Sequence, residues 1–197
     1  MEMMDRIRNA MQKNGGIMAA DQLLSLGISK TTLANYARGM ELERLGGGLY
    51  LLPGYVLDDL YALMLRSDRI IFSHETALFL NGLSERTPFI HAVTIPNNAS
   101  LPSSMRNVCA CYYVKPELHE MGLTERQTTF GHTVRCYNAE RTICDLLRSR
   151  SRYSTETIIG AMKAYAESPK KRLDRLSEYA EKLRVRKALT PYMEALL

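Results

Sequence analysis

Apolar residues along the first fifty positions fall into three short helical registers and then switch to extended runs. Met4, Ile7, Ala10 and Met11 recur at helical spacing within residues 3–13, a segment stopped by Asn14-Gly15-Gly16. After the apolar step Ile17-Met18, residues 19–26 read as a second helix ended by Gly27, which is free to take a left-handed cap. Ile28 is a buried spacer, and Ser29 is a good N-cap for a third helix reaching Arg38 or Gly39. Leu42 to Leu45 and Leu49 to Leu52, separated by Gly46-Gly47-Gly48, predict a hairpin.

Pro53-Gly54 then punctuates the chain, and the pattern beyond it mixes strands and helices. A helix is predicted over residues 58–67, with two acids at its positive end. Ile70-Ile71-Phe72 has the look of a buried strand, and Ser73 caps a helix through Leu80 that stops at Asn81-Gly82. Residues 92–95 and 108–114 are strand candidates, and residues 128–137 predict a hairpin around Gly131. From Asn138 onward the chain reads as helical, over 139–148, 155–167, 169–184 and a last short piece. The expectation is therefore a mixed α/β protein in two parts. Residues 1–53 would form a winged helix-turn-helix, and residues 54–197 an α/β domain closed by C-terminal helices.

The third helix is where the pattern suggests chemistry. Leu33 and Ala37 lie one turn apart and supply its packing side. The remaining side carries Lys30, Thr31, Asn35 and Arg38, flanked by Thr32 and Tyr36. It has two cations, no acid, hydroxyls and an amide, the groups that read base edges in a major groove or clasp phosphates. The hairpin turn brings no basic tip, so Arg44 alone would approach a phosphate from the wing. A polar face on a short helix can equally be merely solvated. The tight turn, cap, acid-free helix and glycine hairpin occur together within about 25 residues, and that combination favours double-stranded DNA as the partner.

Charge adds a second feature. The chain of 197 residues carries a net +5, and residues 140–197 hold 13 Lys and Arg against 8 Asp and Glu, which accounts for the whole excess. Ser168 and Pro169 predict the start of a helix over 169–184, with Leu173, Leu176, Ala180 and Leu183 as its buried stripe. Lys171, Arg175, Lys182 and, if the helix continues, Arg186 would fall on the opposite side, and Arg148, Arg150 and Arg152 add charge in the loop before. Two readings stay open for this surface: a solvated helical face, or an electropositive patch for nucleic acid.

Other constellations lead to duller expectations. His74-Glu75 with Asp145 invites a catalytic reading, but an acid in the first turn of a capped helix is favoured by the helix dipole alone, and His74 would sit half-exposed. No phosphate loop, metal-type His/Glu spacing or nucleophile elbow occurs, so no enzyme and no cofactor are expected. Cys109, Cys111, Cys136 and His132 make four zinc ligands on paper, yet the first pair lies inside an apolar strand, and buried free thiols fit better than a metal site. Arg141 and Asp145, four apart, would pair on the surface of a helix whose other side is Ile143, Leu146 and Leu147. Residues 1–14 are too charged for a secretion signal and no run reaches membrane-spanning length, so a reducing cytoplasm is the expected compartment.

The segment Gly15-Gly16-Ile17 through Gly27-Ile28-Ser29, with Leu33, Gly39, Leu42, Arg44-Leu45, Gly48 and Tyr50, resembles the N-terminal domain of the AbiEi-type antitoxins. These are the antitoxin halves of type IV toxin–antitoxin systems that act by abortive phage infection. Ser73-His74-Glu75-Thr76-Ala77-Leu78 with Gly82-Leu83 is similar to the family's Ser-x-x-Ser-Ala-Leu…Gly-Leu helix. The run Asn138-Ala139-Glu140-Arg141-Thr142-Ile143-Cys144-Asp145-Leu146-Leu147 is similar to its Pro-Glu-Arg-Thr-Leu-x-Asp-Leu helix, with Ala139 in place of Pro. The resemblance implies repression of the protein's own operon through inverted repeats in promoter DNA. It also implies neutralisation of a nucleotidyltransferase toxin by the C-terminal domain, without a stable protein complex. A monomer in solution, with two copies on one operator, is the expected stoichiometry. The competing expectation is an RNA-binding adaptor whose basic C-terminal helices shield the toxin's RNA substrate.

Overall fold

A computed structural model of the chain describes residues 3–196. Helix α1 (Met3–Lys13) buries Ile7 and Met11 and is followed by the short strand β1 (Ile17–Ala19). Helices α2 (Ala20–Ser25) and α3 (Lys30–Arg38) come next, and then the hairpin β2 (Glu43–Leu45) and β3 (Leu49–Leu51). Strand β3 pairs antiparallel with both others, giving a three-stranded sheet in the order β1-β3-β2. One face of this unit closes a core of Ile7, Met11, Leu23, Ile28, Leu33 and Leu42. The sheet's other side presents Ile17, Leu49 and Leu51, which pack against Ala62 of helix α4 (Asp59–Arg66).

The remaining elements form a mixed five-stranded sheet covered by helices. Its strands are β4 (Ile71–Phe72), β5 (His91–Pro96), β6 (Cys109–Val114), β7 (Leu123–Gln127) and β8 (Thr133–Tyr137), in the order β6-β5-β4-β8-β7. The pairs β5–β6 and β4–β8 are parallel, while β4–β5 and β7–β8 are antiparallel. Helix α5 (His74–Leu80) and the short α6 (Pro116–His119) connect strands. Helices α7 (Ala139–Arg148), α8 (Thr155–Glu167), α9 (Leu173–Lys182) and α10 (Arg186–Leu196) build a helical layer, with Leu146, Met162, Leu176, Leu183 and Leu189 in its core.

The predicted hairpin at 128–137 is shifted. Its first arm is β7 over Leu123–Gln127, and residues 128–132 form the turn. The arm is an edge strand reading Leu-Thr-Glu-Arg-Gln, too polar to register as a strand by its apolar content.

The turn reaches back toward the first half of the chain. Asp58, nearly fully buried, caps α4 by accepting from the Tyr61 amide at 3.2 Å. Its second oxygen accepts from Thr128 Oγ1 at 2.6 Å and meets His132 Nδ1 at 2.7 Å. The His132 ring stacks on Tyr61 with centroids 4.2 Å apart. Gly15 lies directly beneath the same ring, where a Cβ would come within 1.9 Å of Nε2.

Candidate nucleic-acid interface

Helix α3 is held from below and left open above. Gly27 takes φ +90° in the turn after α2, which lets the chain reverse into Ser29 without a steric penalty. Ser29 Oγ accepts from the Thr32 amide at 3.0 Å, a cap of the kind worth about 0.5–2 kcal/mol. Leu33 is buried against the α1–α2 core, with Ile28 just ahead of it, and Tyr36 and Ala37 pack partly against the same cluster.

Lys30, Thr31, Asn35 and Arg38 are exposed, and no acid interrupts α3. Two of the polar groups are engaged in the free protein. Arg38 Nη2 donates to Asn35 Oδ1 at 2.6 Å, which leaves the Asn35 amide NH2 as the free half of that side chain. The Thr32 hydroxyl shares its hydrogen bond with Ser29 at 2.9 Å, making Thr32 part of the cap. Arg44 is exposed on β2, the edge strand of the small sheet, opposite Tyr50. The tip of the β2–β3 turn leans on α4: a Cβ at Gly47 would meet Arg66 Nε at 2.9 Å and Ser104 Oγ at 3.2 Å. Sequence reasoning had no signal for Arg66 as a neighbour of this turn, because the approach depends on how α4 docks on the sheet.

The second group of basic residues is not one helical face. The predicted helix 169–184 begins only at Leu173, so Ser168 and Pro169 lie outside it. The cause is Glu140, buried at the start of α7, whose Oε1 accepts from the Arg172 amide at 3.0 Å and the Tyr165 hydroxyl at 3.1 Å. A buried carboxylate needs such donors, and meeting that need holds the turn before α9 in a non-helical path. Lys171 consequently bonds the Ala166 carbonyl at 2.7 Å, closing the end of α8. Lys182 pairs with Glu178 at 2.6 Å, and α9 stops before Arg184, which has φ +58°. Arg175 is exposed on α9, while Arg186 starts a separate helix. Arg148 ends α7, and Arg150 and Arg152 sit in a 3-10 turn, facing different hollows.

Two further expectations need correction. Arg141 and Asp145 do pair, at 3.0 Å, but inside the protein, with Arg141 fully buried. Helix α7 is covered on both sides, by the α8–α9 layer and by the loop of residues 118–122, so its polar stripe is enclosed too. His74 is buried rather than half-exposed, and the Ser73 hydroxyl bonds His74 and Thr94 instead of capping α5. Burial, reinforced by Arg141, Arg152 and Arg148, pushes the His74 pKa down to about 3. Among the cysteines, Cys109 and Cys111 lie on β6 and Cys136 on β8, with two strands between them. Burial raises the Cys136 thiol to about 12, so it is protonated at neutral pH.

Residues 5–88 match the family described as transcriptional regulator, AbiEi antitoxin N-terminal domain. That match covers 84 of the 197 residues, and over them the chain is similar to the AbiEi N-terminal domain. The AbiEi-matching segment runs from α1 through α5, so it includes α4 and its contact with the small sheet as well as α3. The fold as a whole is similar to that in the crystal structure of the RV2827C protein from Mycobacterium tuberculosis. That similarity has a TM-score of 0.66 at 12% identity, covering 91% of this chain and 71% of that chain. No curated protein matches the chain in sequence. Among the described residues, no helix is long and apolar enough to cross a membrane.

Proposed function

We propose that this protein is a transcriptional autorepressor and antitoxin of a type IV, abortive-infection operon. In this reading residues 1–53 act as a winged helix-turn-helix, with α3 entering the major groove of promoter DNA and β2–β3 as the wing. The observation that carries it is the exposed, acid-free face of α3, capped by Ser29 and anchored by Leu33, inside a segment that matches a transcriptional regulator family. Lys30, Thr31, Asn35, Tyr36 and Arg38 provide the contacts, Thr32 holds the helix start, and Arg44 approaches the backbone from the wing. Two monomers bind the two halves of an inverted repeat.

The remainder, residues 54–197, serves as the antitoxin part. It acts against a nucleotidyltransferase toxin in the cytoplasm, as a binder rather than a catalyst and without a stable complex. The division from residues 1–53 is one of labour, at Pro53-Gly54, because α4 and the small sheet share apolar contacts across it. The RNA-adaptor alternative needs a continuous basic helical face, and the break before α9 together with the Lys171 and Lys182 contacts removes its main support.

The test is a gel shift with the protein's own promoter. A Lys30→Ala, Asn35→Ala, Arg38→Ala triple variant keeps its fold and loses specific binding. Unchanged operator affinity in that variant removes α3 from the interface. Co-expression with the toxin from an unrelated promoter then separates the two activities, since the same variant is expected still to rescue growth.

A further inference from the structure

A cleft of about 340 Å³ opens between strands β5 and β6 and the C-terminal turn of α7. Arg141, Arg148 and Arg152 line it against a single carboxylate, Asp145. The α3 surface plays no part in it.

Arg141 makes this cleft more than a charged hollow. Its Nε meets both Asp145 oxygens at 3.0 Å, and its Nη1 donates to the carbonyls of Leu118 at 2.7 Å and Met121 at 2.8 Å. The guanidinium also lies 4.1 Å from the Tyr137 ring centroid. Its Nη2 is buried and has no hydrogen-bond partner among the described residues. Buried donors are nearly always paired, and a charged one left unpaired is costly, so Arg141 keeps one donor unspent beside the cleft it lines.

The opposite wall is organised in a compatible way. Ser73 Oγ accepts from Thr94 Oγ1 at 2.8 Å and meets His74 Nδ1 at 2.9 Å, while His74 Nε2 meets Ser149 Oγ at 3.1 Å. Ser149 lines the cleft, and its rotatable hydroxyl can turn its proton into it when Nε2 carries the ring hydrogen. His74 is held in place by Tyr112, stacked at 3.5 Å, and the Arg152 guanidinium lies 5.1 Å from the centroid of the same Tyr112 ring. His74 itself adopts φ +50°, a conformation that tends to mark functional sites when buried. Among the charged side chains that line the cleft only Asp145 is an acceptor, and Arg141 already occupies that carboxylate.

We infer that the cleft is a binding site for a phosphoryl group, with Arg141 Nη2 and the Ser149 hydroxyl as inner donors and Arg148 and Arg152 as outer clamps. Its volume suits a phosphate carried by a ligand no larger than a mononucleotide. The planar donor fork of arginine matches phosphate oxygens, and three arginines against the one carboxylate of Asp145 leave an excess of two positive charges for a phosphate to neutralise.

The test is isothermal titration calorimetry of the full chain at low salt with inorganic phosphate, adenosine 5′-monophosphate and adenosine. Phosphate and the monophosphate bind, and adenosine does not. Tighter binding of the monophosphate identifies a nucleotide as the source of the phosphoryl group, and equal affinities identify free phosphate. An Arg148→Gln, Arg152→Gln double variant weakens binding about tenfold or more. Arg150→Gln removes the same charge from the same turn but lies outside the cleft, and leaves affinity within about twofold. Arg141→Gln abolishes binding if it folds, and the exposed pair decides the matter if it does not. Absence of binding, equal weakening by Arg150→Gln, or binding of nucleic-acid strands alone overturns the inference.

Discussion

Helices α3 and α7 are built from the same local signals and meet opposite fates. They have nine and ten residues, each starts under a side-chain N-cap (Ser29 and Asn138), and each ends in an arginine. Helix α3 buries Leu33 alone, whereas α7 buries eight consecutive residues, including Glu140, Arg141 and Asp145. The difference lies in what packs around them. Helix α3 has a core on one side and, among the described residues, nothing on the other, so its polar groups stay available to a partner. Helix α7 is enclosed from Glu140 to Leu147, so its buried charges Glu140, Arg141 and Asp145 must find partners within the protein, and among the described residues Arg141 Nη2 does not.

The largest test of this contrast is stability. Removing one partner of the buried pair, by Asp145→Ala or Arg141→Met, is expected to cost about 3–5 kcal/mol in urea unfolding. Arg38→Ala, the matching arginine of α3, is expected to stay within about 0.5 kcal/mol. Similar losses for the two arginines would mean that the enclosure of α7 does not set the energetics.

The next effect falls on DNA binding. Asn35→Ala is expected to weaken operator affinity by about 1–3 kcal/mol if the amide reads a base, with little change for unrelated duplexes. Because Arg38 occupies Asn35 Oδ1 in the free protein, a full bidentate contact requires that bond to open first. Arg38→Ala therefore loses a cation but frees the amide, and its specific binding should suffer less than that of Asn35→Ala. Lys30→Ala should weaken all sequences alike.

A third test uses pH. The His74 pKa is lowered in the folded protein from the ordinary 6.5 to about 3, so the unfolded chain binds the extra proton between these values. Stability from this group is present above pH 6.5 and is lost as pH falls toward 3, at about 1.4 kcal/mol per pH unit. His74→Gln should flatten the acid limb of the stability profile by one proton, and an unchanged slope would place the ring in water. The smallest effect concerns the C-terminal charges. With Lys171 on the end of α8 and Lys182 on Glu178, replacing Lys171, Arg175 and Lys182 together should change the log–log salt dependence of DNA binding by less than about 1 unit.

These particulars show how far the chain could be read in advance. The predicted first three helices and the glycine hairpin correspond to α1, α2, α3 and β2–β3, because each is framed by local punctuation: Asn14-Gly15, Gly27, Ser29 and Gly46-Gly47-Gly48. The exposed face of α3 was legible for the same reason, since a nine-residue helix with Leu33 as its anchor has only one way to turn. The interior of the second half was not. That Arg141 and Asp145 sit four apart says they can meet, and only the packing of residues 118–122 over them says that they meet in the dark. Likewise Ser168-Pro169 is a sound helix start locally, overridden by a carboxylate 32 positions away from Arg172. Distances along the chain of that order carry no periodic trace.

The contact among Asp58, Thr128 and His132 has a consequence for cooperativity. It fastens the tip of a hairpin from the second half to the start of α4, while the His132 ring covers Gly15 from the first half. Ile17, Leu49 and Leu51 are buried in a cluster that includes Ala62 from beyond Pro53-Gly54. Neither part can unfold without stripping apolar surface from the other. Heating should therefore produce a single calorimetric transition, with the same midpoint whether α3 or the five-stranded sheet is followed. A protein arranged this way holds α3 at a fixed angle to everything behind it, so under the proposed function two copies on an operator would tolerate little variation in the spacing of the half-sites.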